Sequence, residues 1–142
     1  MRINLRRAAA ATAAVTLLTL GFAQAPAQAA TTWSTTGVAG AHAQGTTYVK
    51  YSYVYVKGYV KDTACDGKYA QVTITFVPGT VFDSPPRTEK PNTKGHGCGF
   101  VRHFTYRSHL SNGWGRVTAY ECRRNSNGIT NVCGPRVTIW KS

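Results

Sequence analysis

The chain has 142 residues, with seventeen Lys and Arg against five Asp and Glu, a formal net charge of +12 and four cysteines. Its length excludes a large multidomain enzyme, and five scattered acids give poor support to a paired-carboxylate glycosidase. The cationic excess favours anionic partners: nucleic acid, acidic polysaccharide, wall polymers or anionic lipid.

Arg2, Arg6 and Arg7 precede an uncharged apolar run from Ala8 to Leu20, and AQAPAQAA then sets small residues at Ala27 and Ala29. This is the layout of a secretory signal peptide over residues 1–29, cleaved near Ala29. The apolar run is shorter than the roughly 20 residues of a spanning helix, so the sequence predicts secretion and no transmembrane segment. The Arg6-Arg7 pair lacks the flanking residues of a twin-arginine signal, and no lipid-accepting cysteine follows. Cleavage removes three basic residues, leaving fourteen Lys and Arg against five Asp and Glu, a net of +9.

Residues 30–45 are small, polar and glycine-containing, with Trp33 and Val38 the only large apolar side chains. They read as a flexible N-terminal segment or an edge piece, followed by one domain over 46–142. From Thr46 the alternation is strict, with Val54, Val56, Gly58 and Val60 on one face and Tyr53, Tyr55, Lys57, Tyr59 and Lys61 on the other. That is a strand with one apolar side. DTACDGK is turn-rich, and YAQVTITFV alternates again, so the two runs predict a hairpin. Pro78 to Gly97 holds four prolines and reads as a long loop. FVRHFTYRSHL, RVTAYECRR and PRVTIWK are further strands, separated by SNGWG and NSNGITNVCG. No helical periodicity occurs after residue 30. The expected fold is all-β: a small antiparallel β-sandwich, Ig-like or an open barrel, with two disulfides.

Cys65, Cys98, Cys122 and Cys133 all follow the leader, an even number in an oxidising compartment. Three pairings are open. The short Asn/Gly-rich turn favours Cys122–Cys133, which leaves Cys65–Cys98. Zinc held by His96 and Cys98 of GHGC is the competing use, but two ligands without a second spaced pair are too few.

The Ala-rich leader and the run GYVKDTACDGKYAQVTITF, with its Gly-x-Val-x-Asp-Thr, Asp-Gly and Ala-x-Val pattern, resemble small secreted actinobacterial proteins of one β-rich domain. The likeness spans roughly residues 1–76 and a terminal Cys…Cys-Gly loop. It implies secretion and a β fold and brings no catalytic residues.

Three constellations carry candidate chemistry. Tyr53, Tyr55 and Tyr59 beside Lys57 and Lys61 form a face whose rings suit sugars or bases and whose cations suit phosphates or acidic sugars. The plainer reading is a stabilising cross-strand aromatic array. His103, Arg107 and His109 share one side of a strand; with Glu121 they hold the acid, base and cation of a small ribonuclease or toxin. Their plainer reading is a solvated polar face. Arg87, in FDSPPRTEKPNTK, stands at the tip of a proline-stiffened loop of the kind that suits a protease inhibitor. Asp62 and Asp66 fall short of the 6–8 oxygens that calcium takes. No GxSxG, HExxH, phosphate-loop or dinucleotide motif occurs, so neither metal nor cofactor is expected. The sequence therefore favours a secreted, monomeric, non-catalytic binding domain for an anionic or carbohydrate-rich partner such as cell-wall polysaccharide. Nucleic acid is a further candidate, the nuclease the alternative and the inhibitor third.

Overall fold

The computed structural model describes residues 29–79, 85–110 and 115–142. The leader up to residue 28, the end of the proline-rich stretch at 80–84 and the turn at 111–114 lie outside the described residues.

Every regular element described is a strand: β1 (Thr31–Thr35), β2 (Ala41–Lys50), β3 (Tyr53–Asp62), β4 (Tyr69–Val77), β5 (Arg87–Glu89), β6 (Val101–His109), β7 (Arg116–Arg124), β8 (Thr130–Cys133) and β9 (Val137–Lys141). They form two antiparallel sheets packed face to face, a β-sandwich. Sheet one runs β1-β2-β3-β6, and sheet two runs β5-β4-β7, with β8 and β9 both pairing with the far side of β7.

Alternation drives the assembly. Val54, Val56 and Val60 of β3 face Ala70, Val72, Ile74 and Phe76 of β4, and Val117, Ala119, Phe104, Trp33 and Ile139 complete one buried cluster. Burying a branched side chain contributes about 1.5–3 kcal/mol. Both disulfides match the favoured pairing: Cys65–Cys98 ties the β3–β4 connection to the run before β6, and Cys122–Cys133 joins opposed residues of β7 and β8.

The chain departs from the sequence expectation in three places. First, 30–45 is not a flexible segment. β1 and half of β2 occupy it, with Trp33 and Thr35 buried and Thr35 donating from its hydroxyl to the Ala43 carbonyl at 3.3 Å. The small residues that look like linker there are the inward row of a closely packed strand pair. Second, β3 and β4 are not a hairpin; they belong to opposite sheets. The hairpin is β2–β3, closed by Tyr51 and Ser52 at φ 49° and 61°. Two residues in the left-handed region make the hairpin turn that twists with its strands, and its usual Asn-Gly signal is missing. Third, the proline-rich stretch holds edge strand β5, and the pairing with β4 continues to a bridge between Gln71 and Asn92. An edge strand tolerates prolines that a central one does not.

The candidate polyanion face

Register decides what shares a surface. β3 sits between β2 and β6, so each outward residue of β3 has a neighbour on both sides. Lys50, Tyr53 and His109 form one cross-sheet row, and Tyr48, Tyr55 and Arg107 the next. Thr32, Thr46, Lys57 and Thr105 follow, then Ser34, Gln44, Tyr59 and His103. The tyrosine ladder and the His/Arg strand, separate motifs in the sequence, are thus one continuous face of sheet one.

Its side chains contact one another closely. Tyr48 and Tyr55 stack with centroids 5.1 Å apart and planes 1° from parallel. The Arg107 guanidinium lies 5.1 Å from the Tyr53 ring centre, and His109 meets that ring edge-on at 5.0 Å. Tyr59 stands between His42 at 6.3 Å and His103 at 5.8 Å. A hydrogen bond to Tyr55, reinforced by the charge interaction with that side chain, raises Arg107 above its ordinary value, so this guanidinium is a permanent cation. One side of the Tyr48, Tyr53 and Tyr55 rings is therefore engaged within the face, and Lys57, His103, Thr105, Arg107 and His109 are exposed.

Charge is one-sided. The described acids are all elsewhere. Asp62 is buried and accepts the Ala64 N–H at 3.0 Å, while Asp66 pairs with Arg123 and Lys68. Glu89 pairs with Arg87, and Glu121 is fully buried. Lys50, Lys57, Lys61 and Arg107 therefore stand on a surface that carries no acid among the described residues, the arrangement that attracts anions.

At the centre of the face is an open hollow of about 850 Å³. It lies over an inward row, Trp33, Gly45, Gly58 and Phe104, and its rim is the two outward rows on either side. Both glycines are required. A Cβ on Gly45 would stand 2.0 Å from the Lys57 carbonyl oxygen, and one on Gly58 2.4 Å from that of Gln44. Beneath them the Trp33 and Phe104 rings stack at 6.4 Å.

The other candidate residues are not brought together. Glu121 lies inside the sandwich on β7, opposite Val72, with Oε1 accepting the Gly37 N–H at 2.5 Å. Sheet one stands between it and the outer face that carries His103, Arg107 and His109, so these four residues form no common site. Arg87 is not at a free loop tip. It is a β5 strand residue opposite Phe76, its Nε donating to Glu89 at 2.7 Å and its Nη1 to the Arg107 carbonyl at 3.0 Å. Cys98 is in a disulfide and His96 stacks on Phe100 at 3.7 Å, which removes the nominal zinc pair.

Sequence reasoning missed His42, Gln44 and Thr46, and took Tyr48 as part of a tyrosine-rich run without placing it on the face. The signal was present: Ala41, Ala43, Gly45, Thr47 and Val49 alternate with them at period two, but inward residues this small do not read as a core face. Compared with protein-family models, curated proteins and solved structures, the chain matches none.

Proposed function

We propose that the protein is an exported binding domain that holds an anionic extracellular polymer, such as a cell-wall polymer, on the outer face of sheet one. The observation that carries this reading is the register that merges the tyrosine ladder with the His/Arg strand into one face, free of acids among the described residues. The leader pattern supports export, as do the two disulfides, which persist in oxidising compartments. Tyr53, Tyr55 and Tyr59 order the cations and offer hydroxyl groups; Lys57, Lys61 and Arg107 supply the attraction. Much of the ring surface is engaged inside the face, so the binding is mainly ionic.

The test is co-sedimentation of the protein with purified wall particles across a salt series. Retention should fall steeply as salt rises, because each neutralised anion releases a counterion. Retention that is absent at low salt would overturn the reading.

A further inference from the structure

The rows of the face differ in chemistry. Two of them are aromatic and cationic. The two that bound the hollow are mostly neutral hydrogen-bonding groups: the Thr46 and Thr105 hydroxyls, the Gln44 amide and the His103 imidazole, with Lys57 the cation among them and Tyr59 as an aromatic wall. A polymer recognised by charge alone has no use for a hollow lined with hydroxyl and amide groups. A sugar ring has: its hydroxyl groups pair with amides and hydroxyls, and its C–H face rests on an aromatic ring. The hollow, about 850 Å³, falls within the roughly 300–1,000 Å³ of small-ligand sites.

We propose that the ligand class is an acidic polysaccharide, with a sugar ring seated in the hollow against Tyr59. Gln44, Thr46 and Thr105 bond its hydroxyl groups, and Lys57 and His103 take its carboxylate. The two aromatic-cationic rows, both beyond the Lys57 row on one side of the hollow, hold the acid groups of neighbouring residues along the chain. This assignment rests on the polyanion reading above and makes that reading specific: the face distinguishes a carbohydrate polyanion from a bare one.

The experiment compares polygalacturonate with inorganic polyphosphate at matched anion concentration, using protein exported from the full-length chain and binding followed by calorimetry. The protein should bind both at low salt and hold polygalacturonate at salt concentrations that release polyphosphate. Gln44→Ala, a change at an exposed position, and Tyr59→Ala should each weaken polygalacturonate about tenfold, the size of one good contact, and leave polyphosphate within about twofold. Circular dichroism checks that Tyr59→Ala folds, and Gln44→Ala keeps the test valid if it does not. Equal loss of both polymers with salt, with both variants like the parent, would overturn the sugar assignment and leave the polyanion reading standing. If neither polymer binds at low salt, both readings are overturned; polyphosphate binding without polygalacturonate would overturn the sugar assignment alone.

Discussion

Outward of β3 stand Tyr53, Tyr55, Lys57, Tyr59 and Lys61; outward of β4, under the same period-two pattern, stand Tyr69, Gln71, Thr73 and Thr75. The first set projects into solvent. In the second, Gln71 is 5 % and Thr73 2 % exposed, although both point away from the core. Cover makes the difference: even Tyr69, as tall as the β3 tyrosines, is only 7 % exposed, with Lys94 lying 5.9 Å from its ring centre. Threonines lie in register across sheet two, Thr88, Thr75, Thr118 and Thr138 on four successive strands. They are short beside taller neighbours such as Tyr120, itself covered by Arg136 at 5.2 Å. Two arginines at the Cys122 end of sheet two are occupied, Arg123 by Asp66 and the Ala39 carbonyl and Arg124 by the Gly128 carbonyl, while Arg116 and Lys141 at its other end are exposed. On sheet one, Lys57 and Lys61 have no ion-pair partner among the described residues. A binding face therefore needs side chains that their neighbours leave uncovered, as well as an outward direction.

The contrast can be broken at several levels. The largest effect should come from the shared core. Ile74→Ala removes a fully buried side chain and should cost about 2–5 kcal/mol in urea unfolding, while the protein that remains folded binds polymer as before. Next is the pinch under the hollow. Gly45→Ala drives a methyl into the Lys57 carbonyl, an overpacking that should destabilise by about 1–3 kcal/mol and also weaken polymer binding. Charge reversal should then separate the two faces. Lys57→Glu with Arg107→Glu should lower the slope of log K against log salt by about 2, with stability changed by less than about 0.5 kcal/mol at Lys57 and by about 1 kcal/mol at Arg107, which loses its Tyr53 contact. Arg116→Glu with Lys141→Glu, on sheet two, should leave the slope unchanged.

The smallest effect concerns Asp66. Partial burial tends to raise its pKa, but the Lys68 N–H bond and the Arg123 and Lys68 charges together hold it below the usual 3.8. A lowered folded-state pKa gives stability that is present above the unfolded value and lost as pH falls through the folded one. Asp66→Asn should therefore flatten the acid limb of the stability curve below about pH 4, seen by unfolding at pH 2–6, without changing polymer binding at neutral pH.

Much of this organisation was legible in the sequence. The period-two runs at 53–61 and 69–77 disclosed their faces, because branched residues strictly alternate with polar ones there. The Asn/Gly-rich turn disclosed Cys122–Cys133. Pairing partners were not legible. Alternation is the same whether β3 meets β4 or β6, and the loop after Asp62 crosses between sheets where a hairpin was expected. Tyr51 and Ser52 hid a tight turn because neither is a residue that favours positive φ. Gly45 fell in the segment read as flexible and Gly58 on the apolar face of a strand, and their shared meaning emerges only when the register sets them side by side. The His/Arg strand was legible as a motif but not as a neighbour of the tyrosines, since forty residues of chain separate them.

The most direct test is to titrate the isotope-labelled protein with an acidic wall polymer and follow its backbone amides by NMR. The polyanion face predicts shifts concentrated in β2, β3 and β6, strongest from Gln44 to Tyr48, from Tyr53 to Tyr59 and from His103 to His109. Shifts centred on the threonine rows of β4 and β7, or spread evenly over the surface, would contradict it.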